Sequence, residues 1–394
     1  MRETFFIEEL DALQIGYTSV TTLSTATNYM LRTEKKSTIT YRSYFKPREF
    51  GQLHLRLWHS NVVDSTWSDG MESKANDFGG NWRIESCFVA DGGEQPDGSV
   101  VEGSSCPLTF DASRFKDVLP GERFWSDTAA VQIPHNHFVA FSWTITVEGL
   151  ENGIPFNTET PLATTYESEG NLAEQQSAES FVPSGNKQIL PALLAYKKEV
   201  SKTIVFLGDS ITQGVRTEQD GYTFWAAKIA AGLGPDIGTW NIGSGWGRAY
   251  DLVEDSAWLS KAAQGDEVVI CLGVNDIGTG NRSSKQLIAD LTSIIEQLKN
   301  NKPAIVIWLC TLPPFNFSDE METAWRTVNE WIRSGEPSGV SGVSGIFDIA
   351  EVLGEAVPND RQIRPKYMSS EMDPHPNGLA GTAVADAFLN WYSR

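Results

Sequence analysis

The sequence is short of several groups on which whole classes of function depend. It has four cysteines (Cys87, Cys106, Cys271 and Cys310) in 394 residues, too few and too scattered for a disulfide framework. Cys271 and Cys310 each sit in an apolar run and read as small buried hydrophobes. Positive charge is scarce: 31 Lys and Arg face 51 Asp and Glu, a net charge of −20, which argues against nucleic acid or an anionic membrane surface as partner. No run approaches the roughly 18 apolar residues of a membrane span. The opening MRETFFIEELDALQIG carries Glu3, Glu8, Glu9 and Asp11 and lacks the apolar centre of a secretory leader. A cytoplasmic location is therefore expected, or a secreted one if a leader has been trimmed. Histidine is scarce as well, with His54, His59, His135, His137 and His375 making up the full set.

What is present divides by period. Up to about residue 150, short alternating runs are punctuated by Gly, Asp, Pro and Ser. In HFVAFSWTITVEG, Val139, Phe141, Trp143, Ile145 and Val147 share one face and Ala140, Ser142, Thr144 and Thr146 the other, the pattern of a half-buried strand. STITYRSYF and LHLRLWHS repeat it, so the first half is expected to be an all-β sandwich of jelly-roll type. Residues 151–198 show little periodicity and read as a long connection. From residue 203 apolar strands alternate with amphipathic stretches: TIVFLG, then YTFWAAKIAAGL; DEVVICLG, then SKQLIADLTSIIEQLKN; PAIVIWLC, then EMETAWRTVNEWIRS; GIFDI, then GLAGTAVADAFLNWY. That alternation predicts a parallel sheet covered on both faces. SGEPSGVSGVSG (334–345) reads as a flexible loop. Two domains follow, 1–195 and 196–394, as chain length also suggests.

In such a sheet, ligands bind beyond the carboxyl ends of the strands. The residues there are GDSITQG (208–214), NIGSGWG (241–247), GVND (273–276) and TLPPF (311–315). Ser210, at the tip of the first turn, is either a nucleophile or a hydroxyl capping the next helix. A nucleophilic serine needs a base, and His375, in EMDPHPNG, is the sole imidazole of the α/β half. Asp373, two residues earlier, can hold the ring in the accepting tautomer, or can simply serve the turn before Pro374. The Ser210 amide, a glycine amide of NIGSGWG and the Asn275 side chain are candidate donors to an oxyanion. Asp209 and Asp276 are acidic neighbours, but no residue spacing here suggests a metal set, and no cofactor is called for.

GDSIT, NIGSGWG, GVND and DPHPNG, in this order, resemble the blocks of the SGNH (GDSL) hydrolase family over residues 200–394. The resemblance implies a flavodoxin-like three-layer α/β/α domain with esterase, lipase, thioesterase or carbohydrate deacetylase activity. Carried over by position, it implies Ser210 as nucleophile, His375 as base and Asp373 as orienting acid. Ser210 N–H, Gly245 N–H (or Gly247 in its place) and Asn275 would form the oxyanion hole. Two departures stand out. The family spaces acid and base as D-x-x-H, whereas here Met372 holds the expected acid position, leaving Asp373, Glu371 or a backbone carbonyl as candidates. The Asn241 block also slips by one residue. The chain lacks the G-x-S-x-G elbow of α/β-hydrolases around Ser210.

A β-sandwich ahead of such a domain resembles a two-domain subgroup of bacterial esterases and carbohydrate deacetylases, an argument by analogy. The expected substrate is a small-molecule or oligosaccharide ester, with an acetylated carbohydrate foremost. An acyltransferase, lipase or thioesterase using the same site is one alternative, and a carbohydrate-binding protein with a degenerate hydrolase domain is another. In the first half, the pair His135 and His137 is expected to be structural rather than metal-binding. Trp58, Trp67, Trp82 and Trp125 are expected mostly to fill the core.

Overall fold

The computed structural model describes residues 16–158, 162–252, 255–334 and 342–394. The opening stretch and most of SGEPSGVSGVSG lie outside the described residues. The chain forms two compact units, one of Met1–Val63 with Asn76–Val200, the other of Asp64–Ala75 with Ser201–Arg394. The twelve residues 64–75 thus belong with the C-terminal half, which no sequence feature announces.

Among the described residues the strands of the first unit pair antiparallel throughout. Val139–Val147 lies at the centre of a seven-stranded sheet, between Ser37–Phe45 and Trp82–Asp91. A five-stranded sheet is built around Gly51–Ser60. The two sheets pack face to face where His59 of one meets Trp143 of the other, with ring centroids 5.7 Å apart. Trp58 and Trp82 fill this core as expected. His137 is held by Asp91, whose carboxylate lies 2.8 Å from Nδ1.

Two expectations are corrected. The central strand is buried on both faces, not one. Its polar side is matched rather than solvated: Thr144 bonds Thr40 at 2.7 Å and Ser142 accepts from the fully buried Arg42 at 2.9 Å. The stretch 151–198 is not a plain connection, for Ile154–Thr158, Thr165–Glu169 and Leu193–Lys197 all join sheets. Leu193–Lys197 pairs with both Tyr17–Ser19 and Gly51–Ser60, so a division after residue 195 would cut a strand. Five-residue strands among Ser, Asn and Gly are too short to show a period.

The second unit contains five parallel strands: β1 Lys202–Gly208, β2 Ile237–Asn241, β3 Glu267–Cys271, β4 Val306–Cys310 and β5 Gly345–Phe347. Their order, 2-1-3-4-5, is the flavodoxin-like one. The longer helices alternate with them as the apolar spacing predicts: α2 Trp225–Leu233, α5 Ser284–Asn301, α6 Asp319–Arg333 and α8 Gly378–Tyr392. Shorter ones, α1 Ser210–Gln213, α3 Ala257–Ala262, α4 Val274–Gly278 and α7 Ile349–Leu353, occupy the connections. Ile204, Val205, Leu207, Val268, Val269 and Ile270 are fully buried, which is why these strands read as continuous apolar runs. Among the described residues no helix is long and apolar enough to cross a membrane, and Cys271 and Cys310 are buried free thiols.

Candidate active site

The turn after β1 is short because its own residues close it. Asp209 caps α1, its carboxylate accepting from Ile211 N–H at 2.9 Å, as an N-cap aspartate does. Gly214 ends the helix at φ +102°, and a Cβ there would meet Phe224 at 2.6 Å, so both backbone and space require glycine. Ser210 therefore sits at the first helical position and is 8% exposed.

His375 and Asp373 come from a hairpin absent from the sequence reading: β6 Met368–Ser370 and β7 Asp373–Pro376, joined by the turn Glu371-Met372. In an extended strand, residues i and i+2 point to the same side. The D-x-H spacing thus brings carboxylate and ring together without a third intervening residue. Ser210 Oγ lies 3.0 Å from His375 Nε2, and His375 Nδ1 lies 2.6 Å from Asp373 Oδ1. That same oxygen accepts the His375 amide at 3.1 Å, while Asp373 Oδ2 accepts from Arg216 Nε at 2.9 Å. Glu371 and Met372 are exposed at the turn. Partial burial pushes the Asp373 carboxyl up, but the bonds from His375 and Arg216 outweigh it and hold it below the usual carboxylate range. Asn377 fixes the hairpin to α8. Its carbonyl accepts from Leu379 and Ala380 N–H, and its amide donates to the Lys366 and Met368 carbonyls.

The other two blocks are stitched to this turn. Ser244 N–H donates to Gly208 O at 2.9 Å. Asn241 Nδ2 donates to Thr212 O at 3.1 Å, and its Oδ1 accepts from Gly243 N–H. A Cβ on Gly243 would lie 2.4 Å from Gln213 N, so this approach admits glycine alone. Gly245 is buried in the loop that follows. The Gly247 N–H donates to Ser244 O at 2.9 Å and is occupied in that turn. Asn275 Nδ2 donates to Gly247 O at 3.1 Å. The side-chain amide carries two hydrogens.

Burial shapes the acids beside the site. It pushes Asp209 up to about 7 against the opposing bond from Ile211 N–H. Asp276, fully buried, is likewise pushed up to about 7, with Ala249 N–H donating to Oδ2 at 2.9 Å. The rings of Trp67 and Trp246 meet edge to face with centroids 6.0 Å apart, and Phe315 meets the His375 ring the same way at 5.1 Å. A cavity beneath the turn, lined in part by Ile211, Phe224, Trp225 and Pro376, holds about 10 Å³. A groove of about 620 Å³ on the first unit, lined by Glu85, Arg114, Asn171 and Gln175 among others, contains none of the expected site residues. Among the described residues no group of three or more His, Cys, Asp or Glu is placed to hold a metal ion.

Ser210, His375 and Asp373 are thus brought into one hydrogen-bonded line, and the loops of Gly245 and Asn275 are tied to the same strand ends. Arg216 and the segment around Trp67 were not foreseen. Neither stands in a recognisable motif, and only the fold brings them here. Phe315 was foreseen only as part of a strand end.

A 2-1-3-4-5 parallel sheet with helices between its strands, bearing a serine, a histidine and a carboxylate in hydrogen-bonded sequence at its strand ends, is an α/β/α domain of flavodoxin-like order. Residues 206–378 match the GDSL-like Lipase/Acylhydrolase family. Over that stretch the C-terminal half is similar to that family, and the protein is an esterase-type hydrolase. Among solved structures, the chain is similar to a family two carbohydrate esterase from Clostridium thermocellum in complex with cellohexaose. That likeness has 14% identity, coverage of 96% of this chain and 99% of that one, and a TM-score of 0.41. A family two carbohydrate esterase from Cellvibrio japonicus shows 11% identity, coverage of 95% and 96%, and a TM-score of 0.38. A family three carbohydrate esterase from Talaromyces cellulolyticus shows 18% identity, coverage of 48% and 96%, and a TM-score of 0.38. These likenesses are too weak to assign a substrate. No curated protein sequence matches the chain.

Proposed function

We propose that the protein is a serine esterase that removes short acyl groups, acetyl foremost, from a carbohydrate ester through an acyl-Ser210 intermediate. The observation that carries the reading is the unbroken line Asp373–His375–Ser210, with contacts of 2.6 and 3.0 Å. His375 Nε2 takes the Ser210 proton as Oγ attacks the ester carbonyl. Asp373, accepting from Nδ1, keeps the ring in the tautomer that can do this. The negative oxygen of the tetrahedral intermediate is held by Ser210 N–H, Gly245 N–H and the Asn275 amide. Of the two glycines, Gly245 is preferred because an aromatic residue and a further glycine, Trp246 and Gly247, follow it. Collapse expels the alcohol, protonated by His375. Water, deprotonated by the same ring, then releases the acid.

One feature supports a polar, flat alcohol. Trp246, next to Gly245, and Phe315, on the His375 ring, offer aromatic surface of the kind that packs on the apolar face of a sugar. The test is a p-nitrophenyl ester series from acetate to decanoate, with acetate release from acetylated oligosaccharides followed by NMR. Acetate is expected to exceed butyrate and longer esters at least about tenfold in kcat/KM, since each misplaced methylene is worth about 1–3 kcal/mol. Peak activity on octanoate or decanoate would replace this reading with a lipase. Transfer to an added alcohol outpacing hydrolysis would replace it with an acyltransferase.

A further inference from the structure

The segment Asp64–Ala75 has no helix or strand, yet its first five residues run along the loop Ser244–Asp251 and bond to it repeatedly. Ser65 Oγ and Ser244 Oγ are 2.6 Å apart and both residues are fully buried. Thr66 donates twice to the Asp251 carboxylate, from its hydroxyl at 2.7 Å and its amide at 3.1 Å. The Arg248 guanidinium donates to the Ser68 carbonyl and, at 3.1 Å, to Thr279 Oγ1. Asp64 pairs with Lys261 at 2.6 Å, with the two side chains 0% and 1% exposed. The Thr66 hydroxyl also accepts from Ala75 N–H at 3.2 Å, closing the segment on itself.

The loop so held is the one that needs holding. Trp246 sits at φ +64°, a conformation that a bulky side chain keeps only where its surroundings over-determine it. Ser244 is gripped from both sides, its amide on Gly208 O and its hydroxyl on Ser65. At the far end Asp276 accepts the Ala249 amide and Asn275 donates to Gly247 O. The loop thus lies between the nucleophile turn, the Asn275 block and residues 64–68, and Gly245 lies within it.

We infer that Ser65 and Thr66 are positioning residues for acyl transfer, setting the loop that carries Gly245 through Ser244 and Asp251. The inference rests on the proposed acyl-Ser210 chemistry. Neither residue touches the reacting atoms. They fix where an oxyanion donor stands, and a displacement of about 1 Å there costs on the order of a hundredfold in rate.

The test uses the full-length protein with p-nitrophenyl acetate and a serine-directed phosphonate. Thr66→Val keeps the shape and the backbone donor and loses only the hydroxyl; Ser65→Ala loses the contact to Ser244. Each is expected to lower kcat by about 10- to 100-fold with KM within about twofold, a smaller loss than removal of an oxyanion donor outright. The phosphonate labelling rate should fall in parallel, because its tetrahedral oxygen needs the same donors. Thr66→Ser should restore kcat to within a few-fold. The inference is overturned if both variants keep wild-type kcat. It is equally overturned if the loss in rate equals the loss of active-site titre, which would make the segment a staple and no more. Should Thr66→Val not fold, Ser65→Ala and Thr66→Ser decide by the same criteria. Wild-type protein that neither turns over nor labels would instead overthrow the acyl-Ser210 reading, and this inference with it.

Discussion

Asp209, inside the GDSIT block, gives the sharpest prediction. It is 1% exposed, and burial pushes its carboxyl from 3.8 to about 7. Holding the proton that tightly corresponds to a free-energy ceiling of about 4 kcal/mol. The sign follows from linkage: a folded-state pKa above the unfolded one favours folding at low pH, and that advantage is lost as pH rises from about 4 through about 7. Above that range Asp209 is buried and ionised, with the bond from Ile211 N–H in partial compensation. Asparagine caps a helix as well as aspartate does and has no charge to desolvate. Asp209→Asn should therefore match wild type to within about 1 kcal/mol at pH 5, where the buried carboxyl is protonated and as neutral as the amide. At pH 8 it should be the more stable by about 1–3 kcal/mol, below the 4 kcal/mol ceiling. Denaturation midpoints at both pH values measure this directly. A variant destabilised by more than about 2 kcal/mol at both would show that the carboxylate is needed charged, refuting the burial argument.

Asp373→Asn should lower kcat by about 10²- to 10⁴-fold: its amide must face either the Nδ1–H of His375 or the Arg216 guanidinium with a hydrogen of its own. Glu371→Gln, by contrast, should stay within about twofold by the same assay, and a loss like that of Asp373→Asn would move the acid role to Glu371. Lys261→Met should lower the stability of the second unit by about 3–5 kcal/mol by stranding a buried Asp64 charge, whereas the double variant Asp64→Leu/Lys261→Met should recover most of it in thermal melts. Gly214→Ala should destabilise by more than about 1 kcal/mol, since left-handed φ and the Phe224 ring both oppose a methyl group.

Much of the second unit was legible because its strands are buried on both faces and its helices on one. Runs such as IVFL and VVIC contrast plainly with amphipathic stretches such as SKQLIADLTSIIEQLKN. The strand-end rule then pointed to Ser210, Asn241–Gly247 and Asn275, and a single imidazole pointed to His375. Arg216 was illegible, because its partner Asp373 lies on a hairpin 157 positions away whose two short strands have no period to read. Residues 64–68 were illegible for a different reason: they sit among first-unit strands in sequence, and only tertiary contacts assign them to the second unit. In the first unit, Thr40, Thr144 and Ser142 looked like a solvent face because polarity was taken as exposure. Arg42 and the hydroxyl pairs satisfy that face internally instead.

The central claim is that Ser210 attacks as a nucleophile activated by His375. Intact-mass and peptide analysis after treatment with a p-nitrophenyl phosphonate tests it at the reacting atom. A single phosphonyl adduct on Ser210 that inactivates the enzyme is expected, slowed by about 10³-fold or more in His375→Ala and absent in Ser210→Ala. An adduct on another residue accompanying inactivation, or ester turnover undiminished in Ser210→Ala, would contradict it.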